Sequence, residues 1–587
     1  MQPFQVFFDN HLQQAKSIST ATKKQINWLT ISRLVIFILM LFLAYYALSN
    51  LLLWWAVIVT LTVFLGLMKL HTKANKKLNY HKTIQQICEQ ETQAFFSTFD
   101  GAEYSNAANP FAQDLDVLGE GSMYHKINRT TNFLSQSKLA EMLLKPAVTN
   151  QQVLLQQQAI KELSNNPEFI LQYRTFSTLA TQTQEQILAY DSWIKQPTRV
   201  IDKGYKIWLI WLVIAASIGG IFAAATIGYW GLLILAILSN WLWVGSLLKY
   251  SNKTQTIGGK QRSQFDQFVK INDLLNTQNF TSQTLQQLQQ NYVQSTIAIN
   301  ALTKLLNTFD QRLNTMLGPI LNSLLVFDVY CLWHIEKWKK QHGLQLQNWM
   351  QINAHFEALV SLATYAYKHP NYVYPVLSNQ PLTFKATQLA HPLIDDEKNV
   401  SNSFEFNAQQ KVFIITGSNM SGKSTFLRTV GVSILNGMIG LPVNATNMEF
   451  SVIKLLSSMR IVDSLQSDTS YFYAELKRLK TIMDEVDCND LPALLFIDEM
   501  LRGTNSKEKL EGSIAIINKL VTKSCVSFIA THDLALGKLA EEFPNQVNNF
   551  SFESNIINNN LVFDYKIKSG VAQSTNATFL LKKMEIV

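Results

Sequence analysis

Thr416 to Thr425 reads TGSNMSGKST and follows the apolar run Val412-Phe413-Ile414-Ile415. Within it Gly417, Gly422, Lys423 and Ser424 satisfy the phosphate-binding pattern G-x-x-x-x-G-K-[ST]. Glycines at those positions let backbone N–H groups turn inward around a phosphate. Lys423 neutralises its charge, and the Ser424 hydroxyl can hold Mg²⁺. A helix starting near Ser421 adds its positive N-terminal end. The expected nucleotide-binding set is therefore Gly417, Ser418, Asn419, Met420, Ser421, Gly422, Lys423, Ser424 and Thr425, with ATP and Mg²⁺ as ligands.

Two further strand ends complete a site. Leu494-Leu495-Phe496-Ile497-Asp498-Glu499 is an apolar run closed by two carboxylates. Asp498 is expected to share Mg²⁺ with Ser424, and Glu499 to orient or deprotonate the attacking water. A plain strand followed by a helix cap is the competing reading. Phe528-Ile529-Ala530-Thr531-His532-Asp533 ends in a histidine. A lone histidine at a strand end is more often structural. Third in this order, His532 reads as the γ-phosphate sensor of ABC-type ATPases, so the expected catalytic set is Glu499, His532 and Lys423.

These motifs resemble those of the MutS family. TGSNMSGKSTFLRTVG (Thr416–Gly431), IDEMLRGTN (Ile497–Asn505) and ATHD (Ala530–Asp533) are similar to its phosphate loop, acidic motif and histidine switch. Asp463-Ser464-Leu465 and Ser470-Tyr471-Phe472-Tyr473-Ala474-Glu475 resemble its signature segment, which implies that Ser470 reaches the partner subunit's nucleotide in trans. His391-Pro392-Leu393-Ile394 and Asn402 resemble the entry to the family's ATPase domain, and Asp114 to Pro146 the opening of its helical core. The resemblance implies a homodimer of ATPase heads acting on mismatched or otherwise unusual DNA. Four positions depart from the pattern. Ser418 stands in place of a proline, Asp468 and Thr469 in place of glycine and arginine, and Leu501 in place of a glycine. The family's mismatch-reading domain and its Phe-x-Glu wedge are not recognisable.

The chain has 587 residues, of which 47% are apolar and only 16% charged. The charge deficit is concentrated, because Leu34 to Met68 and Ile207 to Leu248 contain no charged residue. Each run suits two membrane-crossing helices joined by a tight turn, at Asn50 and at Gly228 to Gly231. Buried core helices are the competing reading. Trp28, Tyr45, Tyr46, Trp54, Trp55, Trp208, Tyr229, Trp230 and Trp243 fit an interfacial belt. Lys23, Lys24, Arg33, Lys69, Lys73, Lys76 and Lys77 flank the first pair, and Lys203, Lys206, Lys249 and Lys253 the second. Both turns are uncharged. The positive-inside rule then predicts a multi-pass protein of the cell (inner) membrane, with its N-terminus and ATPase domain in the cytoplasm. No cleavable signal peptide is expected. Much of the net charge of +8 lies beside the spans, so anionic lipid accounts for it at least as well as nucleic acid. The cysteines, Cys88, Cys331, Cys488 and Cys525, form no C-x-x-C pair and read as reduced thiols.

The expected architecture is an α/β P-loop, ABC-type ATPase domain plus an all-α MutS-like core, with four transmembrane helices in two hairpins. The divisions are 1–98 (hairpin 34–68 and a polar helical connector), 99–380 (core interrupted by hairpin 207–248) and 381–587 (ATPase). The second hairpin occupies the place where MutS-family members insert their DNA clamp. A second function is therefore weighed with DNA binding: an ABC-like mechanical or sensing device acting on the membrane or on a protein partner.

Overall fold

The computed structural model describes residues 3–93, 97–105, 109, 111–181, 183–201, 207–315, 317–460, 471–487, 491–502, 504–557 and 560–573. It begins with two long antiparallel helices, α1 (Pro3–Ala47) and α2 (Trp54–Thr92), which turn at Leu48 to Leu53. The helical connector expected after Lys69 is the second half of α2 itself. Nothing between Lys69 and Thr92 breaks the helix, so α2 runs through it. Side chains between Leu34 and Met68 are largely uncovered by the rest of the chain. Lower down, Phe8 and Ala15 of α1 pack with Ile84, Ile87 and Cys88 of α2 against Leu171.

Short helices α3 (Phe111–Asp114) and α4 (Met123–Ile127) lead into α5 (Phe133–Leu144), α6 (Asn150–Ser164), α7 (Pro167–Leu179) and α8 (Gln184–Lys195). Their boundaries follow from capping. Asn166 accepts from the Phe169 N–H ahead of Pro167, and Thr183 with Gln186 forms a capping box. A second apolar pair follows, α9 (Ile207–Ile227) and α10 (Gly231–Asn276), turning at Gly228 to Trp230. The helix α10 runs unbroken from its apolar half into the helical core. Then come α11 (Gln283–Phe309), α12 (Leu317–Leu325) and α13 (Phe327–Lys368). Among the described residues four helices are long and apolar enough to cross a membrane, or five if the bent pair α12 and α13 is one span.

Two buried carboxylates tie both hairpins to this core. Glu91, near the end of α2, is fully buried and meets Arg129 (3.1 Å), Arg174 (2.8 Å) and Lys368 (2.9 Å). Glu336, on α13, accepts the backbone N–H groups of Arg199, Val200 and Ile201 at 2.7–2.9 Å, just ahead of α9. Both carboxylates meet α13, Glu91 through Lys368 at its last turn and Glu336 as one of its own residues.

The rest is α/β. A four-stranded sheet has the order β1-β5-β2-β3, from β1 (Val376–Leu377), β2 (Phe384–Leu389), β3 (Asn402–Phe406) and β5 (Asn447–Phe450). A six-stranded sheet has the order β10-β9-β4-β8-β7-β6, from β4 (Val412–Gly417), β6 (Lys454–Ser458), β7 (Ala493–Asp498), β8 (Cys525–Thr531), β9 (Val547–Ile557) and β10 (Asn560–Ser569). All its pairs are parallel except β9 with β10. The expected Asn-rich loop is shorter than Asn555 to Asn560, because both strands extend into it and Asn560 pairs with Ile557.

Every residue of β4 and β8 is buried, as in a parallel sheet covered on both faces. On one face α14 (Lys423–Met438) packs with Phe413, Phe496 and Phe528 in a cluster that continues into α5, α6 and α7. A Cβ on Gly431 would lie 2.8 Å from Leu115, so glycine lets α14 seat against the core. On the other face lie α15 (Tyr471–Asp487) and α16 (Ser506–Val521), with a final short helix α17 (Leu539–Glu542) nearby.

Candidate functional site

The strands β4, β7 and β8 end side by side, which brings Gly417, Asp498 and Thr531 to one edge of the sheet. Such a carboxyl-end edge is where open α/β sheets bind ligands. From Gly417 the chain loops through Ser418 to Ser421, and α14 starts at Lys423, two residues later than expected. Gly422 caps it at φ 108°, and Met420 has φ 66°. These left-handed residues fold the loop back on itself. A Cβ on Gly417 would lie 2.5 Å from Phe552 O and 2.9 Å from Ser421 Oγ.

Lys423 Nζ donates to the carbonyls of Gly417 (2.8 Å) and Ser418 (2.9 Å). Burial pulls its pKa down, while Asp498 and Glu499 oppose that. Ser418 Oγ and Ser421 Oγ are buried without a hydrogen-bond partner among the described residues. Two orphaned hydroxyls beside a lysine that bonds the loop carbonyls and lies 3.4 Å from His532 Nε2 fit a loop made to receive an anion. Asn419, Met420 and Thr425 face outward.

Ser424 Oγ donates to Asp498 Oδ2 at 2.5 Å, joining the loop to the end of β7. Among the described residues no group of three or more His, Cys, Asp or Glu forms a metal cluster. A hydroxyl and one carboxylate fit Mg²⁺, which takes few protein ligands and keeps water and phosphate oxygens as the rest. One residue on, Glu499 has φ 51° and its N–H donates to Ala530 O (2.9 Å). Its Oε1 lies 2.8 Å from His532 Nε2, and its Oε2 lies 3.3 Å from Arg502 Nε. The His532 hydrogen bond, with help from Arg502, holds the Glu499 pKa down at about 2.

Three features were not expected from sequence. A cavity of about 480 Å³ opens beside the loop, between Gly422 and Thr425 on one side and His391, Asn402 and Tyr565 on the other. Burial pulls the His391 pKa down to about 4, so its imidazole is neutral. Next, Glu475 of α15 is buried and accepts from the N–H groups of Leu501 (2.6 Å) and Arg502 (3.2 Å). That clamp holds Leu501 at φ 56°, a left-handed conformation that a glycine would adopt freely. Finally, Asp114 of α3 is fully buried and accepts from Ser457 Oγ (2.8 Å), Met459 N (3.0 Å), Arg460 N (2.8 Å) and Arg478. Asp114 O also accepts from Arg428 of α14 (2.9 Å). Asp114 and Glu475 lie in segments that the sequence singled out, but their partners are distant in the chain and only the tertiary fold brings them together. Ser470, Asp468, Thr469 and Asp463 to Leu465 lie outside the described residues, as does Cys488.

Residues 413–581, which hold all these strand ends, match the family described as MutS domain V. That region is of the MutS family. The chain is 31% identical over 236 residues to the DNA mismatch repair protein MutS of Thermotoga maritima, covering 40% of this chain and 29% of that protein. It is 26% identical over 330 residues to MutS protein homolog 4 of Homo sapiens, covering 54% of this chain and 32% of that protein. The chain thus spans about a third of the length of the curated MutS relatives it matches.

Proposed function

We propose that the chain is a Mg²⁺-dependent ATPase of the MutS type, anchored in a membrane, whose nucleotide cycle governs binding of mismatched or otherwise unusual DNA. The observation that carries the ATPase reading is the convergence of Lys423, Ser424, Asp498, Glu499 and His532 at one sheet edge. Lys423 exchanges the Gly417 and Ser418 carbonyls for phosphate oxygens. Ser424 and Asp498 would hold Mg²⁺, which supplies charge neutralisation at the phosphates. Glu499, turned away from His532 and Arg502, orients the attacking water and takes its proton. His532 is then free to face the γ-phosphate. The 480 Å³ cavity takes the base and ribose, with neutral His391 in its wall. A second head supplies Ser470, so the working unit is a homodimer.

The membrane reading is supported by the uncovered apolar sides of α1, α2, α9 and α10. Trp28, Tyr45, Trp55, Trp208, Tyr229 and Trp230 are exposed near the ends of these apolar runs, where the interfaces would lie. Flanking lysines orient the nucleotide domain to the cytoplasm. The DNA reading rests on kinship with proteins named for mismatch repair, which is analogy rather than a site argument.

One observation favours a second reading. The continuous α10, and α13 returning to Lys368, link the apolar hairpin to the core without a break, as a head that moves membrane helices needs. Binding of homoduplex, mismatched and branched DNA to the detergent-solubilised chain, measured against salt, separates the two. A DNA-binding protein loses affinity steeply as salt rises. Binding of none of these DNAs at low salt rules out the DNA reading and leaves the second.

A further inference from the structure

The helix α12 meets α13 at 80°, at Val326, which has φ 41°. It packs against α9 and α10. Asn240, nearly fully buried within α10, donates to Ser323 O (2.6 Å) and Ser217 Oγ (3.0 Å), and Trp241 Nε1 donates to Ser323 Oγ (2.9 Å). At 1.5 Å per residue, Asn240 lies about 14 Å from the Gly231 end and about 12 Å from Leu248. That is close to the middle of a hydrocarbon core about 30 Å thick. The C-terminal turn of α12 therefore sits level with the interior of the hairpin.

Several polar groups at the break between the helices find partners within the protein. Asn240 takes the Ser323 carbonyl, the Asp328 N–H donates to Asn322 Oδ1 (2.9 Å), and Asn322 Nδ2 donates to Asp328 Oδ1 (3.1 Å). An elbow in water could leave these groups to solvent. Within hydrocarbon, freed backbone groups must find partners in the protein. Asp328 also pairs with Arg312 (2.8 Å) and accepts from Ser251 Oγ (2.7 Å), just past the end of the charge-free run on α10. Leu313 to Phe327 contains no charged residue. Leu317 and Ile320, three residues apart on one face of α12, are exposed, as are apolar side chains of α9 and α10, the helices against which α12 packs.

We propose that α12 is a re-entrant membrane helix that dips into the cytoplasmic half of the bilayer beside the second hairpin, where lipid acyl chains cover Leu317 and Ile320. This rests on the membrane reading above. A single helix, α13, then joins this element to Lys368 and Glu91, so motion of the core reaches lipid through a fifth element besides the four spans.

The test is quenching of a cysteine-linked bimane by lipids brominated on the acyl chain, in proteoliposomes of the full chain. Ile320→Cys and Leu317→Cys report on α12, Leu235→Cys on the α10 span, and Leu344→Cys on an exposed site of α13. The unsubstituted chain sets the background. Labels at 320, 317 and 235 should lose fluorescence to brominated lipid, while the label at 344 responds only to aqueous iodide. If the labels at 320 and 317 behave like that at 344 while 235 is quenched by lipid, the inference is overturned and the membrane reading stands. If 235 escapes lipid too, the membrane reading fails and the inference falls with it.

Discussion

Glu499 Oε1 lies 2.8 Å from His532 Nε2, and the same imidazole nitrogen lies 3.4 Å from Lys423 Nζ. The side chains proposed to bind phosphate, sense it and activate water thus hold one another. Nucleotide entering between them competes for Lys423 and His532 and releases Glu499.

Replacing His532 by alanine removes the first cause of the depressed Glu499 pKa, so the carboxyl moves from about 2 towards its ordinary value of about 4.3. A carboxylate with a depressed folded pKa stabilises the fold above its unfolded pKa. That contribution is lost as pH falls through the folded value. Melting temperatures should therefore be lower in His532→Ala than in the parent above about pH 4, with the gap closing as pH falls towards 2, because the parent alone has this contribution to lose. Coincident profiles would contradict the pairing.

Lys423→Ala and Ser424→Ala separate the two halves of phosphate binding. Each charge-assisted contact contributes about 1.5–3 kcal/mol, or about 10- to 100-fold in Kd. Titration with a fluorescent ATP analogue should show that loss for Lys423→Ala with or without Mg²⁺. Ser424→Ala should lose affinity only when Mg²⁺ is present.

Asp114 joins the opening of the helical core to the segment leading from β6 and to α15. Asp114→Ala leaves Arg478 and the Met459 and Arg460 N–H groups without their shared acceptor, which costs about 3–5 kcal/mol. Asp114→Asn keeps the shape and loses the charge, at a cost of about 1–3 kcal/mol. Denaturant unfolding in detergent should rank the parent, Asn and Ala in that order.

Glu91 is the shared partner of Arg129, Arg174 and Lys368. Glu91→Ala leaves two buried arginines and the partly buried Lys368 without their shared acceptor, a loss of about 3–5 kcal/mol focused where the first hairpin docks. Hydrogen exchange should quicken at the water-facing ends of α1 and α2, with β4 and β8 unchanged. Uniform exchange across the chain would contradict a local latch.

That Gly417, Asp498 and Thr531 end strands at one sheet edge was legible in the sequence because the motifs there are local. A phosphate loop needs Gly417, Gly422 and Lys423 at fixed spacing, and apolar runs ending in Asp498 and His532 announce strands that stop at a ligand. The two charge-free runs were legible as paired helices for the same reason. The unforeseen features rest on partners distant in the chain. Asp114 meets Arg478, Glu91 meets Lys368, Asn240 meets Ser323, and Tyr565 meets the loop at Gly422 only after folding. The helical connector expected after Lys69 is the continuation of α2, because a change from apolar to polar residues marks a change of solvent, not the end of a helix.

The most direct test of the central claim is phosphate release by the purified, solubilised chain with ATP and Mg²⁺, comparing the parent with Glu499→Gln. The account predicts turnover in the parent and a loss of about 100-fold or more in Glu499→Gln, with ATP still bound and the heads trapped as a closed dimer. Equal rates in the two proteins, or no turnover in the parent, would contradict it.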